Sequence, residues 1–156
     1  LWGRNTYFMA IFAWEAVWAL ILMVFCFLRQ KRSGVEKGHG LSMTLFYLCL
    51  GQMLFESFRT ECIRLGFVRL EQVLSAIVCF ILILLICREY SLKTGLIRWL
   101  PAILILAGIG AMIGLEFALD EPSYTRWVIY ALIILTLALM GVVYRWAEKR
   151  ALSEYA

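Results

Sequence analysis

Hydrophobic residues fall into five long runs that are separated by short polar segments. The runs cover about Tyr7–Leu28, Leu41–Phe58, Leu70–Cys87, Trp99–Ala118 and Trp127–Tyr144. Their lengths approach the ~20 residues that a helix needs to cross ~30 Å of hydrocarbon. Because a backbone in lipid must satisfy its own hydrogen bonds, helices are favoured. The pattern predicts an all-α, polytopic helical membrane protein with about five transmembrane helices.

Polar side chains are concentrated at the junction between the second and third runs. On a helix that turns about 100° per residue, Gln52, Glu56 and Arg59 share one stripe at the end of the second run. The third run then begins with three more polar residues, Arg69, Gln72 and Ser75. A carboxylate and a guanidinium at bilayer depth are costly unless they are paired or functional. We therefore expect the chemistry of this chain at the junction.

The spacing of Glu56 and Arg59 leaves two interpretations open. As i,i+3 neighbours they can form a structural ion pair that anchors the helix at the interface. Alternatively they belong to a site for an anionic lipid headgroup, where Arg59 binds phosphate and Glu56 orients it or acts as a base. Glu15, in the middle of the first run, is either a structural carboxyl or a partner of Arg59 or Arg69 across helices.

The fourth run carries Gly110 and Gly114, four residues apart. Small residues at this spacing let transmembrane helices approach closely, so we predict close helix packing on this face. Glu116, near the end of the same run, is expected to extend to the membrane interface.

Lysines and arginines are distributed unevenly over the predicted connecting segments. Ten of the 15 fall on one side of a five-span arrangement: Arg29, Lys31, Arg32, Lys37, Arg88, Lys93, Arg98, Arg145, Lys149 and Arg150. The positive-inside rule places that side in the cytoplasm. The N-terminus is then outside and the C-terminus cytoplasmic, with Glu56, Arg59 and Arg69 towards the outer side.

Composition narrows the class of function further. The chain is 63% hydrophobic with a net charge of +4, against roughly 45–50% apolar residues in a soluble domain. The basic residues follow topology, so no nucleic-acid partner is expected. Five cysteines lack metal-ligand spacing, and we expect no metal, no disulfide and no cofactor. No P-loop or Ser-His-Asp arrangement is present.

Four segments form an ordered set across the first half of the chain: Trp14-Glu15-Ala16-Val17-Trp18, Glu36-Lys37-Gly38, Gln52 to Glu61, and Gly66 to Ser75. They are similar, in order and spacing, to the Y-E-S-x-W element, the K/R-x-G loop, the helix end R-F-x-x-E-x-x-R-T/P-D and the final G-G-x-R-x-S-Q-x-L-S of one family. The stretch from about Ala13 to Ser75 thus resembles the C-terminal half of the prolipoprotein diacylglyceryl transferase family.

The resemblance implies a bacterial cytoplasmic (inner) membrane enzyme. Such an enzyme moves the diacylglyceryl group of phosphatidylglycerol to the thiol of a lipobox cysteine in a precursor protein. Carried over by motif, the implied catalytic residues are Glu56 and Arg59. The implied substrate-binding residues are Arg69, Gln52, Glu15 and Gln72.

The chain also departs from the family pattern. Gln52 stands where the motif has its first arginine, and Met9-Ala10-Ile11 stands where the family has H-P-T. The family's N-terminal half, with its catalytic histidine and second arginine motif, has no counterpart in these residues. Gln52 can hydrogen-bond phosphate but brings no charge, and the sequence leaves open whether Arg64 or Arg126 compensates.

We expect residues 1–90 to form the three-span region that resembles the transferase. Residues 91–156 are expected to add a transmembrane hairpin and a cytoplasmic tail. If the chain is a fragment, the missing half supplies the base; if it is complete, we expect weak or no transfer. One alternative is a non-catalytic membrane subunit or lipid-binding scaffold. Another is a small transporter, which would need polar or broken helices at mid-membrane.

Overall fold

The computed structural model of the chain describes residues 2–33, 37–58, 64–65, 68–89, 95, 97–120 and 126–155. Within these ranges five helices follow one another: α1 (Trp2–Ser33), α2 (Lys37–Phe58), α3 (Leu70–Glu89), α4 (Leu100–Asp120) and α5 (Arg126–Tyr155). Two short strands, β1 (Arg64–Leu65) and β2 (Val68–Arg69), lie between α2 and α3. They pair in antiparallel fashion, with Arg64 opposite Arg69 and Leu65 opposite Val68.

Each helix contains a segment long and apolar enough to cross a membrane. These segments are Ile11–Arg29, Gly40–Phe58, Leu70–Arg88, Leu100–Leu119 and Arg126–Ala151. The predicted all-α, polytopic class with five membrane-spanning helices is confirmed. The orientation of the termini across the membrane stays a prediction.

Two hydroxyl groups of α2 are satisfied by the helix that carries them. Thr44 Oγ1 donates to the carbonyl of Gly40 at 2.8 Å, and Ser57 Oγ donates to that of Met53 at 3.1 Å. Each bond reaches back four residues, so the hydroxyl does not need water. Polar side chains of this size therefore fit a membrane helix without marking a site.

The fifth helix is longer than the sequence pattern predicts. The apolar run ends near Tyr144, but α5 continues to Tyr155. Its buried face keeps helical spacing through that extension: Ile129, Ile133, Leu137, Met140, Tyr144, Ala147 and Ala151. Glu148 is buried as well. The segment expected as a cytoplasmic tail therefore begins as a continuation of the helix.

The chain forms two compact units, residues Leu1–Ser75 and Ala76–Ala156, called unit 1 and unit 2 below. In unit 1, α1 packs along α2. The indole Nε1 of Trp18 donates to the carbonyl of Tyr47 at 3.2 Å, and Cys26 Sγ lies 3.4 Å from the carbonyl of Gly40. Trp18 also lies directly against Gly51, where a Cβ would collide with the indole.

In unit 2, α4 packs against α5. Their close approach occurs at Gly108, where a Cβ would lie only 2.7 Å from Met140 Cγ. A Cβ added at Gly110 or Gly114 would meet nothing within 4 Å. Among the described residues of unit 2, the close packing predicted for the Gly110 and Gly114 face is therefore not found, because a neighbouring glycine on another face makes the contact.

Arg98 caps the end of α3 inside unit 2. Its Nε donates to the carbonyl of Cys87 at 2.8 Å, and its Nη2 donates to that of Arg88 at 3.0 Å. The last carbonyls of a helix lack intrahelical donors, and a basic side chain can supply them. The sequence indicated Arg98 only as a determinant of topology; the structure gives it a second role.

Candidate phosphate-binding segment between the second and third helices

The described polar residues of the predicted junction lie at the end of α2, in β2 and in the first turns of α3. We call residues 52–75 the polar segment. All of it belongs to unit 1. The predicted site residues inside the polar segment are Gln52, Glu56, Arg59, Arg69 and Gln72.

Gln52 connects the end of α2 to the start of α3. Its Nε2 donates to Glu71 Oε2 at 3.3 Å. Glu71 is the acidic residue in the first turn of α3, a position where the helix dipole favours a carboxylate. Sequence reasoning missed Glu71 as a partner of Gln52, because an acid at a helix start is explained without any second residue.

Glu56 lies in the last turn of α2 and is almost fully buried, with 1% of its surface exposed. Its neighbour Ser57 is 3% exposed. A carboxylate with so little exposure requires polar surroundings, since burying a charge in an apolar environment is very costly. Arg59 lies outside the described residues, so the predicted pair of Glu56 with Arg59 stays a prediction.

Arg69 ends β2, immediately before α3. Its Nη1 is buried and donates no hydrogen bond to any group in the described part of the chain. Leaving a buried donor without an acceptor costs free energy, more so when the group is charged. The nitrogen is thus suited to donate a charge-assisted hydrogen bond to an oxyanion such as phosphate.

Gln72 and Ser75 begin the buried face of α3. They are 5% and 7% exposed and are one helical turn apart. The same face continues with Cys79, Ile83 and Ile86, all buried. The face is therefore polar at the start of the helix and apolar further along, as the sequence predicts for a helix whose first turns carry a polar site.

Glu15 lies on α1, one turn before Trp18. Trp18 contacts Tyr47 and Gly51, whereas Cys26, further along α1, contacts Gly40 near the start of α2. The two helices are therefore antiparallel, and extending this pairing by one turn brings Glu15 to about the level of Gln52. A hydrogen bond between Glu15 Oε1 and Arg69 Nη1 is absent, so the predicted pair is not formed through those two atoms.

Among the side chains that the structure describes, no group of three or more His, Cys, Asp or Glu residues is arranged to hold a metal ion. Among the described side chains of the polar segment, the groups available for chemistry are one unpaired guanidinium nitrogen, two carboxylates and two amides. Such a set can bind a phosphate ester and stabilise charge that develops on it.

Five membrane-spanning helices with this polar segment define a multi-pass membrane protein. One curated relative is the phosphatidylglycerol–prolipoprotein diacylglyceryl transferase of Clostridium novyi (strain NT), 27% identical over 83 residues. The match covers 53% of this chain and 32% of the relative, so the chain spans about a third of the relative's length. No family model matches the chain, and no solved structure matches it. The similarity supports a membrane protein that handles lipid.

Proposed function

We propose that this protein binds phospholipid headgroups and transfers diacylglyceryl from phosphatidylglycerol to a lipobox cysteine of a precursor protein. It would act in the bacterial cytoplasmic membrane, with the polar segment on the outer side. The observation that carries the proposal is the buried Nη1 of Arg69, which has no acceptor among the described residues. The similarity to an enzyme with this activity supports it.

The proposed reaction makes a thioether and releases glycerol phosphate. The cysteine sulfur bonds to the terminal glyceryl carbon, the bond from that carbon to the phosphate oxygen breaks, and the electron pair leaves with glycerol phosphate. The thiol proton passes to a base. Because the phosphate gains negative charge as the bond breaks, guanidinium groups placed on it stabilise the transition state more than the ground state.

Each predicted site residue has a defined part in this reaction. Arg69 and Arg59 hold the phosphate, and Glu56 orients Arg59 or accepts the thiol proton. The burial of Glu56 suits either part, because a carboxylate away from water interacts more strongly with a nearby charge. Gln52 and Glu15 complete the polar surroundings, as does Gln72.

A second candidate function is a non-catalytic lipid-binding scaffold or membrane subunit. The hydrogen bond from Gln52 to Glu71 favours it. The motif that this helix end resembles carries arginine at position 52, whereas the amide found here is neutral and is engaged by a carboxylate. A site with one guanidinium fewer would still bind an anionic headgroup, but it would stabilise the leaving phosphate less.

A mass-shift assay separates the two functions. The chain in phosphatidylglycerol nanodiscs is mixed with a lipobox cysteine peptide, and the peptide is weighed for a diacylglyceryl adduct. Arg69→Gln, Arg59→Ala and Gln52→Arg are compared with Arg126→Gln, which removes an exposed arginine at the start of another helix. A transferase gives an adduct with the unmodified chain and the Arg126 variant, and little with the Arg69 or Arg59 variant.

The remaining outcomes are equally informative. An adduct that forms only with Gln52→Arg would mean that the scaffold is intact and that the missing charge limits the chemistry. No adduct with any variant, together with retained phosphatidylglycerol binding, would leave the lipid-binding scaffold. If the chain shows neither diacylglyceryl transfer nor preferential binding of phosphatidylglycerol, a role in handling phospholipid is contradicted.

A further inference from the structure

Two arginines come together where α3 ends and α4 begins, inside unit 2. Arg98 Nε donates to the carbonyl of Cys87 at 2.8 Å, and Arg98 Nη2 donates to the carbonyl of Arg88 at 3.0 Å. Arg88 is exposed and is the last residue of the membrane-spanning segment of α3. The two cations therefore belong to one small region at this end of the unit.

The last turns of α5 lie at the level of the same region. The helices α4 and α5 pack together and are joined by a short connection, so they run antiparallel. Gly108 on α4 meets Met140 on α5. Eight residues back from Gly108 is Leu100, and eight residues on from Met140 is Glu148. The part of α5 around Glu148 therefore lies beside the start of α4.

This part of α5 carries cations on its outer side. Lys149 and Arg150 are both exposed. The guanidinium carbon of Arg150 lies 4.3 Å from the ring centroid of Trp146, and that of Arg98 lies 5.5 Å from the ring centroid of Trp99. Such contacts orient a guanidinium without neutralising its charge. We call the following four residues the basic end of unit 2: Arg88, Arg98, Lys149 and Arg150.

The basic end lies at the depth of lipid headgroups. The membrane-spanning segment Arg126–Ala151 has 26 residues, so it is about 39 Å long at 1.5 Å per residue. The hydrocarbon is only ~30 Å thick, and the headgroups extend the bilayer to ~40–45 Å. With Arg126 at the opposite boundary, roughly the last six residues of the segment lie among headgroups. Tryptophans are enriched at this depth, as Trp99 and Trp146 are here.

We propose that the basic end of unit 2 binds the phosphate of an anionic phospholipid headgroup. Cations at headgroup depth are complementary in charge to such lipids, and guanidinium groups bind phosphate oxygens bidentately. A guanidinium has five N–H donors, so the two bonds to carbonyls leave Arg98 others that can reach a phosphate. The inference does not rest on the proposed function, since no residue of the basic end belongs to the polar segment.

The basic end predicts a graded loss of lipid affinity. A basic residue near an anionic membrane surface contributes about fivefold in affinity. Lys149→Gln and Arg150→Gln should therefore each weaken binding of phosphatidylglycerol about fivefold, and the double variant up to about 25-fold. Both side chains are exposed, so these substitutions should leave the fold intact. Arg150→Lys keeps the charge and should retain most of the binding.

The experiment uses the full chain in neutral detergent. Native mass spectrometry counts the lipids retained from phosphatidylglycerol or phosphatidylcholine, at low and at high salt, and melting temperature is measured alongside. Arg126→Gln is the matched control, because it removes an exposed arginine at the other end of the same helix. Arg69→Gln removes the cation of the polar segment. A poly-glutamate peptide is tested in place of lipid.

We expect the unmodified chain to retain phosphatidylglycerol in preference to phosphatidylcholine. Retention should fall at high salt, because exposed charges are screened. It should also fall in Lys149→Gln and Arg150→Gln, with a smaller lipid-induced rise in melting temperature, while Arg126→Gln behaves as the unmodified chain. Loss of one bound lipid in these variants and of another in Arg69→Gln would support two separate sites.

Three results would overturn the lipid site at the basic end. If the double variant retains as much phosphatidylglycerol as Arg126→Gln while Arg69→Gln retains less, the basic end is not a lipid site and the proposed function stands. Equal retention of phosphatidylcholine would show that the negative charge of the headgroup is not recognised. Binding of poly-glutamate without a preference for phosphatidylglycerol would identify a surface for acidic proteins instead.

Discussion

Replacing Gly51 by alanine tests how α1 is held against α2. A Cβ at this position collides with the Trp18 indole, a rigid group that cannot move aside cheaply. Overpacking of this kind costs about 1–3 kcal/mol. Displacing the indole also disrupts the hydrogen bond from Trp18 Nε1 to the carbonyl of Tyr47. Such a bond contributes about 1 kcal/mol to the free energy of unfolding.

One stabilising effect of the substitution must be subtracted from this loss of free energy. Alanine stabilises a helix interior by roughly 0.5–1 kcal/mol relative to glycine. The net expectation for Gly51→Ala is a loss of about 1–3 kcal/mol in the free energy of unfolding. Gly110→Ala is the matched control, because a Cβ there meets nothing within 4 Å and only the helix term remains.

The assay is reversible unfolding of the purified chain in mixed micelles, followed by tryptophan fluorescence and helical circular dichroism. We expect Gly51→Ala to unfold earlier than the unmodified chain, and Gly110→Ala to unfold at the same point or later. The reasoning is refuted if Gly51→Ala is as stable as Gly110→Ala. Since α1 also carries Glu15, the same variant should weaken phosphatidylglycerol retention.

Two further variants test contacts that hold the ends of α3. Arg98→Gln should lower the free energy of unfolding by about 1–3 kcal/mol, because the carbonyls of Cys87 and Arg88 lose a charged donor. Faster amide hydrogen exchange confined to that end of α3 would support this prediction. An unchanged free energy of unfolding would contradict it. In Gln52→Arg, the new arginine should pair with Glu71 and raise the free energy of unfolding by less than about 1 kcal/mol, because Glu71 is exposed. This gain in stability should vanish when Glu71→Gln is added. A gain that persists in the double variant would exclude the pair.

The presence of the five helices is predictable from the sequence, but not all of their ends are. The third helix begins at Leu70, as predicted, and the second ends at Phe58, as predicted. The end of α5 was missed because the apolar run stops near Tyr144, whereas the buried face continues through Ala147 and Ala151. A hydrophobic composition indicates which residues lie in lipid, and a helix can continue beyond those residues.

Contacts between residues distant in sequence were not predictable in the same way. Gly110 and Gly114 had the spacing of a packing motif, yet Gly108 is the glycine that meets Met140. Gln52 was expected to face a phosphate, and it donates to Glu71. The spans are apolar on most sides, so no polar stripe indicates which face of a helix packs.

The sequence alone determined that this chain is helical and membrane-embedded, because lipid obliges each segment to satisfy its own backbone within about 20 residues. It also located the polar segment, since charged side chains stand out in an apolar run. Tertiary structure decided which residues meet: Trp18 contacts Gly51, Gln52 donates to Glu71, and the backbone of Arg69 pairs with that of Arg64. These contacts depend on the register between elements, which no single run of residues encodes.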